Sequence, residues 1–145
     1  MQIGIDVGAT KIESVVLEDS GKEQHRSRTD CPKDYNLILS TIKEINSSLE
    51  KTFKKKLPIG VCHPGIHSPQ TGLVKNAPNC FWLEKKPFQQ DLRKLLNKEV
   101  FCENDANCFA LSEAIDGAAK HYKVVYGIIL GSGAGGGLVV DKKIV

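Results

Sequence analysis

The sequence lacks the features that define several large classes of protein. Its 145 residues carry a formal net charge of only +3, which is too small to indicate binding to nucleic acid. No stretch approaches the roughly 18 consecutive apolar residues that can span a membrane. The first residues form an apolar, strand-like run instead of a secretion signal. We therefore expect a cytoplasmic protein that binds neither nucleic acid nor membranes.

The cysteines and histidines lack the spacing of metal sites. The five cysteines are an odd number and include no Cys-x-x-Cys pair, and thiols in the cytoplasm stay reduced. His25, His63 and His67 show no metal-ligand spacing either. We predict that the cysteines pack in apolar surroundings and that this chain supplies no zinc ligands.

The sequence does contain clear strand and helix patterns. Apolar runs at 3–7 and 12–17, followed by a polar alternating stretch at 23–29, predict an antiparallel three-stranded meander. Apolar residues at helical spacing predict helices over 38–53 and 88–96. We expect Asp34 to cap the first of these helices.

The second half of the sequence predicts further strands and a third helix. The predicted strands are 57–62, 100–102, 124–130 and 138–140, with a small hairpin at 71–74 and a loop through Asn79. The third helix would bury one side, formed by Cys108, Leu111, Ile115 and Ala118. This order predicts an α/β fold whose mixed sheet joins an antiparallel meander to parallel crossovers and is flanked by helices.

The chain length supports one domain with its own core. The last predicted strand is not followed by the covering helix that an α/β pattern calls for. We therefore expect that the domain continues beyond Val145 in the natural protein.

A glycine turn connects the first two predicted strands. Gly8 permits a tight turn that brings backbone N–H groups to the surface, where they can bind phosphate. Thr10 adds a hydroxyl group, Lys11 adds a positive charge, and Asp6 can bind a magnesium ion. The alternative is an ordinary hairpin turn that contains a glycine.

A second glycine-rich segment occupies positions 131–137 and holds five of the 13 glycines. Because glycine weakens a strand interior, we interpret the segment as a loop whose backbone and Ser132 hydroxyl approach a ligand. A flexible linker is the alternative, although apolar strand residues flank the segment on both sides.

Polar residues that can take part in catalysis or in sugar binding stand at three other places in the sequence. Asp105 can accept a proton from an attacking hydroxyl group, while Asn104 orients the same substrate. The alternative is that this pair caps the third helix. Pro64–Gly65 and 76–79 offer groups that hydrogen-bond sugar hydroxyls, although each is also typical of an ordinary turn.

In this order, the motifs resemble those of the ROK family of sugar kinases and repressors. The matching segments are DVGATK at 6–11, PG at 64–65, APN at 77–79, ENDAN at 103–107 and LGSGAGGGLV at 130–139. Within the family, the segment NDANCFALSEA at 104–114 is most similar to bacterial N-acetylglucosamine kinases. The resemblance implies an actin-like, ribonuclease-H-like ATPase fold in which 1–145 is the N-terminal lobe.

The implied function is ATP-dependent phosphorylation of a hexose or amino sugar at its 6-hydroxyl group, with N-acetyl-D-glucosamine as the substrate. Asp105 would be the general base, and Gly65, Asn79, Asn104 and Asp105 would contact the sugar. Magnesium would bind at Asp6. The phosphate-binding residues would be Asp6, Gly8, Ala9, Thr10, Lys11, Gly131, Ser132, Gly133, Ala134, Gly135, Gly136 and Gly137.

The resemblance also implies parts that lie beyond Val145. These are a zinc motif, further sugar contacts and much of the nucleotide pocket, so we expect little or no activity from the isolated chain. The family pattern allows a homodimer of the full-length protein.

Two alternative functions stay open. A sugar-responsive ROK regulator would need a DNA-binding region before the first strand, where this sequence has no room. A non-catalytic sugar-binding module is the other alternative, and the presence of Asp105 and both glycine segments counts against it.

Overall fold

The first three strands form the predicted antiparallel meander, β1 (Gln2–Val7), β2 (Lys11–Leu17) and β3 (Glu23–Asp30). Alternate residues of β1 and β2 point into the core, where the β-branched side chains are buried. β3 is polar and lies at the edge of the sheet. Its Arg26 and Arg28 form ion pairs with Glu13, and such a charged edge discourages pairing with other chains.

The structure is a computed structural model that describes residues 1–131 and 133–145. It divides into two compact units, Met1–Cys102 and Glu103–Val145. The predicted role of Ser132 lies outside the described residues. The assignment of 1–145 to a single lobe stays a prediction.

The sheet of the first unit is mixed, as the sequence predicts. β4 (Ile59–His63) pairs parallel with β1. β7 (Val100–Asn104) begins in this unit and completes the strand order β3-β2-β1-β4-β7. A small hairpin, β5 (Ile66–His67) and β6 (Val74–Lys75), lies between β4 and the next helix.

Two helices cover the core of the first unit. α1 (Tyr35–Phe53) begins where Asp34 accepts a hydrogen bond from the Leu37 N–H group at 3.0 Å, which confirms the predicted cap. α2 (Phe88–Leu96) follows a 3₁₀ helix, Pro78–Leu83, that stands where a loop was predicted. The two α-helices bury the apolar faces that their spacing predicts, with Ile38, Ile42, Leu49, Phe88 and Leu92 all inaccessible or nearly so.

The second unit contains one helix and a three-stranded sheet. α3 (Asp105–Ile115) is followed by β8 (Val124–Leu130), β9 (Ala134–Val140) and β10 (Lys143–Ile144), in the sheet order β10-β9-β8. The prediction that the glycine segment cannot lie inside a strand is wrong. Gly135, Gly136 and Gly137 belong to β9 and pair with β8.

Close packing of α3 on the sheet explains Gly137 of β9 and Gly127 of β8, whereas the space beside Gly136 is taken by the Tyr126 side chain. A Cβ atom on Gly137 would lie 2.4 Å from the Ala106 carbonyl oxygen and 2.8 Å from Asn107 Cα. A Cβ atom on Gly127 would lie 2.8 Å from Ala110 Cβ. The helix backbone therefore approaches the strands at a distance that only glycine allows.

The buried face of α3 differs from the predicted one. Ala106, Ala110 and Ala114 are the buried residues, whereas Ile115 is 49% exposed and Ala118 lies beyond the helix. The periodicity of larger apolar residues favoured the wrong side, because a helix this close to a sheet accommodates only small side chains at the contact.

β8 is buried on one side only, although its apolar sequence predicted a buried strand. The residues on its other side are exposed, namely Val124, Tyr126, Ile128 and Leu130.

Among the described residues, none of the helices has both the length and the apolar character that crossing a bilayer requires.

Gly137→Ala should destabilise the second unit by about 1–3 kcal/mol, because the added methyl group meets backbone atoms that cannot move aside easily. Gly131→Ala is the matched control, since a Cβ atom there has no contact within 4 Å among the described residues other than its chain neighbours. It should change stability by less than about 0.5 kcal/mol. Urea unfolding followed by circular dichroism measures both. Equal stability of the two variants would contradict the close packing.

Candidate functional site

The turn between β1 and β2 is closed by its own backbone. The Gly8 N–H group donates to the Lys11 carbonyl at 2.8 Å, and the Thr10 carbonyl accepts from the Cys31 N–H group at 2.9 Å. The Gly8 N–H group is therefore used within the turn, and phosphate binding by the other groups of this turn stays a prediction. Thr10 and Lys11 are exposed, while Ala9 packs against the core.

Lys11 forms an ion pair with Asp30, its cross-strand neighbour on β3. The hydrogen bond and positive charge of Lys11 hold the pKa of the Asp30 carboxyl below its usual range. Both side chains are exposed, so the pair adds little to stability. Sequence analysis did not identify Asp30, although an antiparallel meander places a residue of β3 opposite Lys11.

The predicted sugar-binding residues of the first unit, Gly65 and Asn79, lie on one compact loop, 64–79, which also contains the β5–β6 hairpin. Gly65 follows β4 with a φ of +81°, and a Cβ atom there would lie 2.6 Å from the Lys75 carbonyl oxygen and 3.0 Å from Ala77 Cβ. Asn79 is exposed in the first turn of the 3₁₀ helix that follows Ala77. The structure therefore packs the Gly65 turn directly against the segment that leads into Asn79.

The histidines include one contact that sequence spacing does not reveal. His63 is fully buried, and its Nε2 atom lies 3.2 Å from Nδ1 of His67. The other ring nitrogen of His63 lies 2.8 Å from the Pro64 carbonyl oxygen. This pair belongs to the first unit, next to the Gly65 turn.

The N-terminus of α3 separates a capping residue from the predicted base. Asn104 Oδ1 accepts hydrogen bonds from the N–H groups of Ala106 at 3.0 Å and Asn107 at 3.2 Å, so Asn104 is the cap. Glu103 supports the same turn by accepting from Asn107 Nδ2 at 3.0 Å. Asp105 is the first helical residue and is half-buried. Asp105 Oδ1 also accepts a hydrogen bond from the Ala106 N–H group at 2.8 Å. The capping alternative thus applies to Asn104 and stays open for Asp105, whose role as the base stays a prediction.

The second unit brings the predicted base and the glycine segment together. A Cβ atom on Gly135 would lie 3.3 Å from Ala106 Cβ, and Gly137 is closer still to the same residue. Ala106 follows Asp105 in the first turn of α3. The first half of β9 therefore contacts the turn that carries the Asp105 carboxylate.

The bend before β9 is open on its outer side. The Gly131 N–H group donates to the Gly133 carbonyl at 2.8 Å. Among the described residues other than its chain neighbours, no atom lies within 4 Å of the position that a Gly131 Cβ would take. Both glycines are exposed. The backbone of Gly131 is therefore open to a ligand on the side where a Cβ atom would point.

Asp6 fits the magnesium ligand that the sequence predicts. Its carboxylate is exposed on β1, and carboxylate oxygens are ligands that Mg²⁺ prefers. In the ranges 1–131 and 133–145, no three His, Cys, Asp or Glu side chains are grouped as a metal site. The assignment of Asp6 to magnesium stays a prediction.

The cysteines pack as predicted at two positions. Cys31 and Cys80 are buried, and burial raises the pKa of the Cys31 thiol, which favours its protonated form. No cysteine of the described residues takes part in a disulfide bond.

Comparison with known proteins defines first the fold and then the family. The predicted fold class is confirmed, because the mixed sheet and its helices match ROK sugar kinases, which have the actin-like ATPase fold. Residues 2–145 match the model of the ROK family. The chain therefore belongs to the ROK family.

Curated proteins to which the chain is similar include bacterial kinases. The chain is 41% identical to the N-acetyl-D-glucosamine kinase of Pasteurella multocida over 99% of its own residues and 47% of that protein. A ROK family glucokinase from Streptomyces griseus, in complex with glucose and AMPPNP, matches 99% of the chain and 46% of the glucokinase at 27% identity and a TM-score of 0.88. The chain thus spans about half the length of the relatives it matches.

A transcriptional regulator shares the fold as well. A ROK family transcriptional regulator, a homolog of the E. coli MLC protein, matches 99% of the chain and 37% of the regulator at a TM-score of 0.81. Its identity of 19% shows a common fold and no more.

Lys11→Gln should raise the pKa of Asp30 towards the ordinary value of 3.8, because the variant removes the hydrogen bond and charge that lower it. The depressed pKa means that this pair contributes stability above pH 3.8 and loses the contribution as the pH falls through the lower folded value. Carboxyl-carbon NMR titration measures the shift, with Lys22→Gln as an exposed control. An unchanged Asp30 titration in Lys11→Gln would contradict the pairing.

Proposed function

We propose that the protein containing this chain is an ATP-dependent kinase that phosphorylates the 6-hydroxyl group of a sugar, with N-acetyl-D-glucosamine as its substrate. The observation that carries the proposal is the contact of the glycine-bearing half of β9 with the first turn of α3, where Asp105 stands. A carboxylate on a helix turn that packs against glycine backbone suits a reaction in which a hydroxyl group attacks a phosphate. The names of the curated relatives support the same substrate.

In this proposal, Asp105 acts as the general base. A carboxylate at the start of a helix can align the sugar hydroxyl group and accept its proton late in the reaction. Asn104, already fixed by the cap, contributes to the same sugar subsite. In the first unit, Asn79 and the backbone at Gly65 are the proposed sugar contacts, since both lie on the compact loop described above.

The two glycine turns are the proposed phosphate-binding elements. In the first unit, the side chains of Thr10 and Lys11 and the backbone at Ala9 are available to the phosphates, because Gly8 already uses its N–H group. In the second unit, the bend at Gly131–Gly133 and the start of β9 fill this role. Magnesium, held at Asp6, would neutralise phosphate charge when bound. Most of the rate enhancement would come from positioning and charge stabilisation.

We propose that the activity of the whole protein also needs a second lobe beyond this chain. The relatives are about twice as long, and we propose that 1–145 acts as a first lobe with little or no activity alone. Zinc binding and a homodimer, if they follow the family pattern, belong to the full-length protein. A cytoplasmic location and the absence of a nucleic-acid partner stay predictions. We prefer the kinase to the regulator because the regulator shares only the fold.

Asp105→Asn should reduce turnover by about 10²–10⁴-fold, the usual contribution of a general base, while sugar binding survives. The variant is made in a protein that includes this chain at the full length of its relatives. Coupled ADP release measures turnover, and calorimetry measures sugar affinity.

Asp116→Asn is the matched control, because Asp116 is an exposed carboxylate at the other end of α3. It should leave turnover within about twofold of the unmodified enzyme. Near-normal turnover in Asp105→Asn would remove the assignment of Asp105 as the base.

A further inference from the structure

The loop that carries Asn79 is held by a carboxylate from outside the predicted motifs. Glu84 follows the 3₁₀ helix, and its Oε2 atom accepts a hydrogen bond from the Ala77 N–H group at 2.9 Å. Its Oε1 atom accepts from the Asn76 N–H group at 3.3 Å. One side chain therefore binds two successive backbone N–H groups immediately before the 3₁₀ helix.

The backbone before the 3₁₀ helix contains a left-handed residue and a buried N–H group. Asn76 has a φ of +60°, in the left-handed region that non-glycine residues seldom adopt. Ala77 is 1% exposed, so its N–H group would lack a partner if the carboxylate were removed, at a cost of about 1–3 kcal/mol. A charged acceptor forms stronger hydrogen bonds than a neutral one. Glu84 therefore stabilises a left-handed residue and the buried N–H group that follows it.

The backbone that follows Glu84 is fixed by hydrogen bonds to Val74. The Lys85 N–H group donates to the Val74 carbonyl at 2.7 Å, and the Val74 N–H group donates to the Lys86 carbonyl at 2.9 Å. The Cys80 N–H group donates to the Ala77 carbonyl at 2.9 Å and closes the first turn of the 3₁₀ helix around Asn79. Backbone hydrogen bonds thus join Val74 to Lys85 and Lys86 at the two ends of this loop, and Glu84 lies between them.

The same segment supports the second proposed sugar contact. Gly65 packs so closely on Lys75 and Ala77 that a Cβ atom would lie 2.6 Å from the Lys75 carbonyl oxygen. A shift of the 76–77 backbone would therefore move the surface against which the Gly65 turn rests. Both proposed contacts depend on one backbone segment that Glu84 binds.

We propose that Glu84 is a positioning residue for sugar binding, which fixes the 76–79 segment so that Asn79 and the Gly65 turn meet the sugar without further ordering. This inference rests on the proposed sugar kinase function. A loop that is ordered before the ligand arrives loses less conformational entropy on binding, which strengthens the affinity. Glu84 does so without touching the sugar.

The test compares Glu84→Ala and Glu84→Gln with Glu44→Gln, a control at an exposed position of α1. In the full-length protein, Glu84→Ala should raise the KM for N-acetyl-D-glucosamine by about tenfold, equivalent to about 1.4 kcal/mol. The KM for ATP should stay within about twofold, since the hydrogen bonds of Glu84 hold only the segment of the proposed sugar contacts. Glu84→Gln retains an acceptor oxygen and should recover most of the sugar affinity.

Hydrogen exchange in the full-length protein provides a readout that needs no sugar. The Asn76 and Ala77 amides should exchange at least about tenfold faster in Glu84→Ala than in the unmodified protein or Glu44→Gln. An unchanged exchange rate, or an equal rise of both KM values, would overturn the inference.

The two proposals can fail separately. If the full-length protein shows no sugar-dependent ADP release, the proposed function fails and the sugar role of Glu84 fails with it. If sugar phosphorylation is normal but the sugar KM does not respond to Glu84→Ala, only the positioning role is wrong.

Discussion

The contact between the β9 backbone and the first turn of α3 is the constraint on which the second unit depends. Gly137 has room for a hydrogen atom only, because the Ala106 carbonyl oxygen occupies the place of a side chain. This approach explains why the buried face of α3 consists of alanines and why glycines lie within a strand. It also fixes the start of the helix, where Asn104 provides the cap and Asp105 follows. Packing and the proposed chemistry thus share the same few residues.

In the first unit, glycine serves turn geometry instead of helix–strand packing. At Gly65 the backbone adopts a positive φ and lies against the carbonyl of Lys75, so the residue serves a turn and a close contact at once. At Gly8 the N–H group closes the β1–β2 turn. The charged groups at that turn come from neighbours, and Lys11 is already paired with Asp30. A phosphate at this turn would therefore compete with a carboxylate for Lys11.

Local patterns predicted the meander, the two helices of the first unit and the Asp34 cap, because these follow from periodicity and short-range hydrogen bonds. They failed where distant segments decide the outcome. The glycines of β9 were predicted to lie outside a strand, and Ile115 was predicted to be buried, because neither pattern reveals that a helix packs on those glycines. Asp30 and Glu84 were not predicted for the same reason. Asp30 reaches Lys11 through strand pairing, and Glu84 reaches the 76–77 backbone through closure of a loop, and neither contact is visible in the order of residues. The motif residues themselves were identified, but their roles stay predictions.

Identification of the phosphorylated product tests the central claim most directly. The full-length protein is incubated with ATP, magnesium and N-acetyl-D-glucosamine, and the reaction is followed by phosphorus NMR, with glucose and mannose in parallel samples. The account predicts formation of ADP together with a phosphate ester on the 6-oxygen, fastest for N-acetyl-D-glucosamine. Absence of any sugar phosphate, or an ester at a different oxygen, would contradict it.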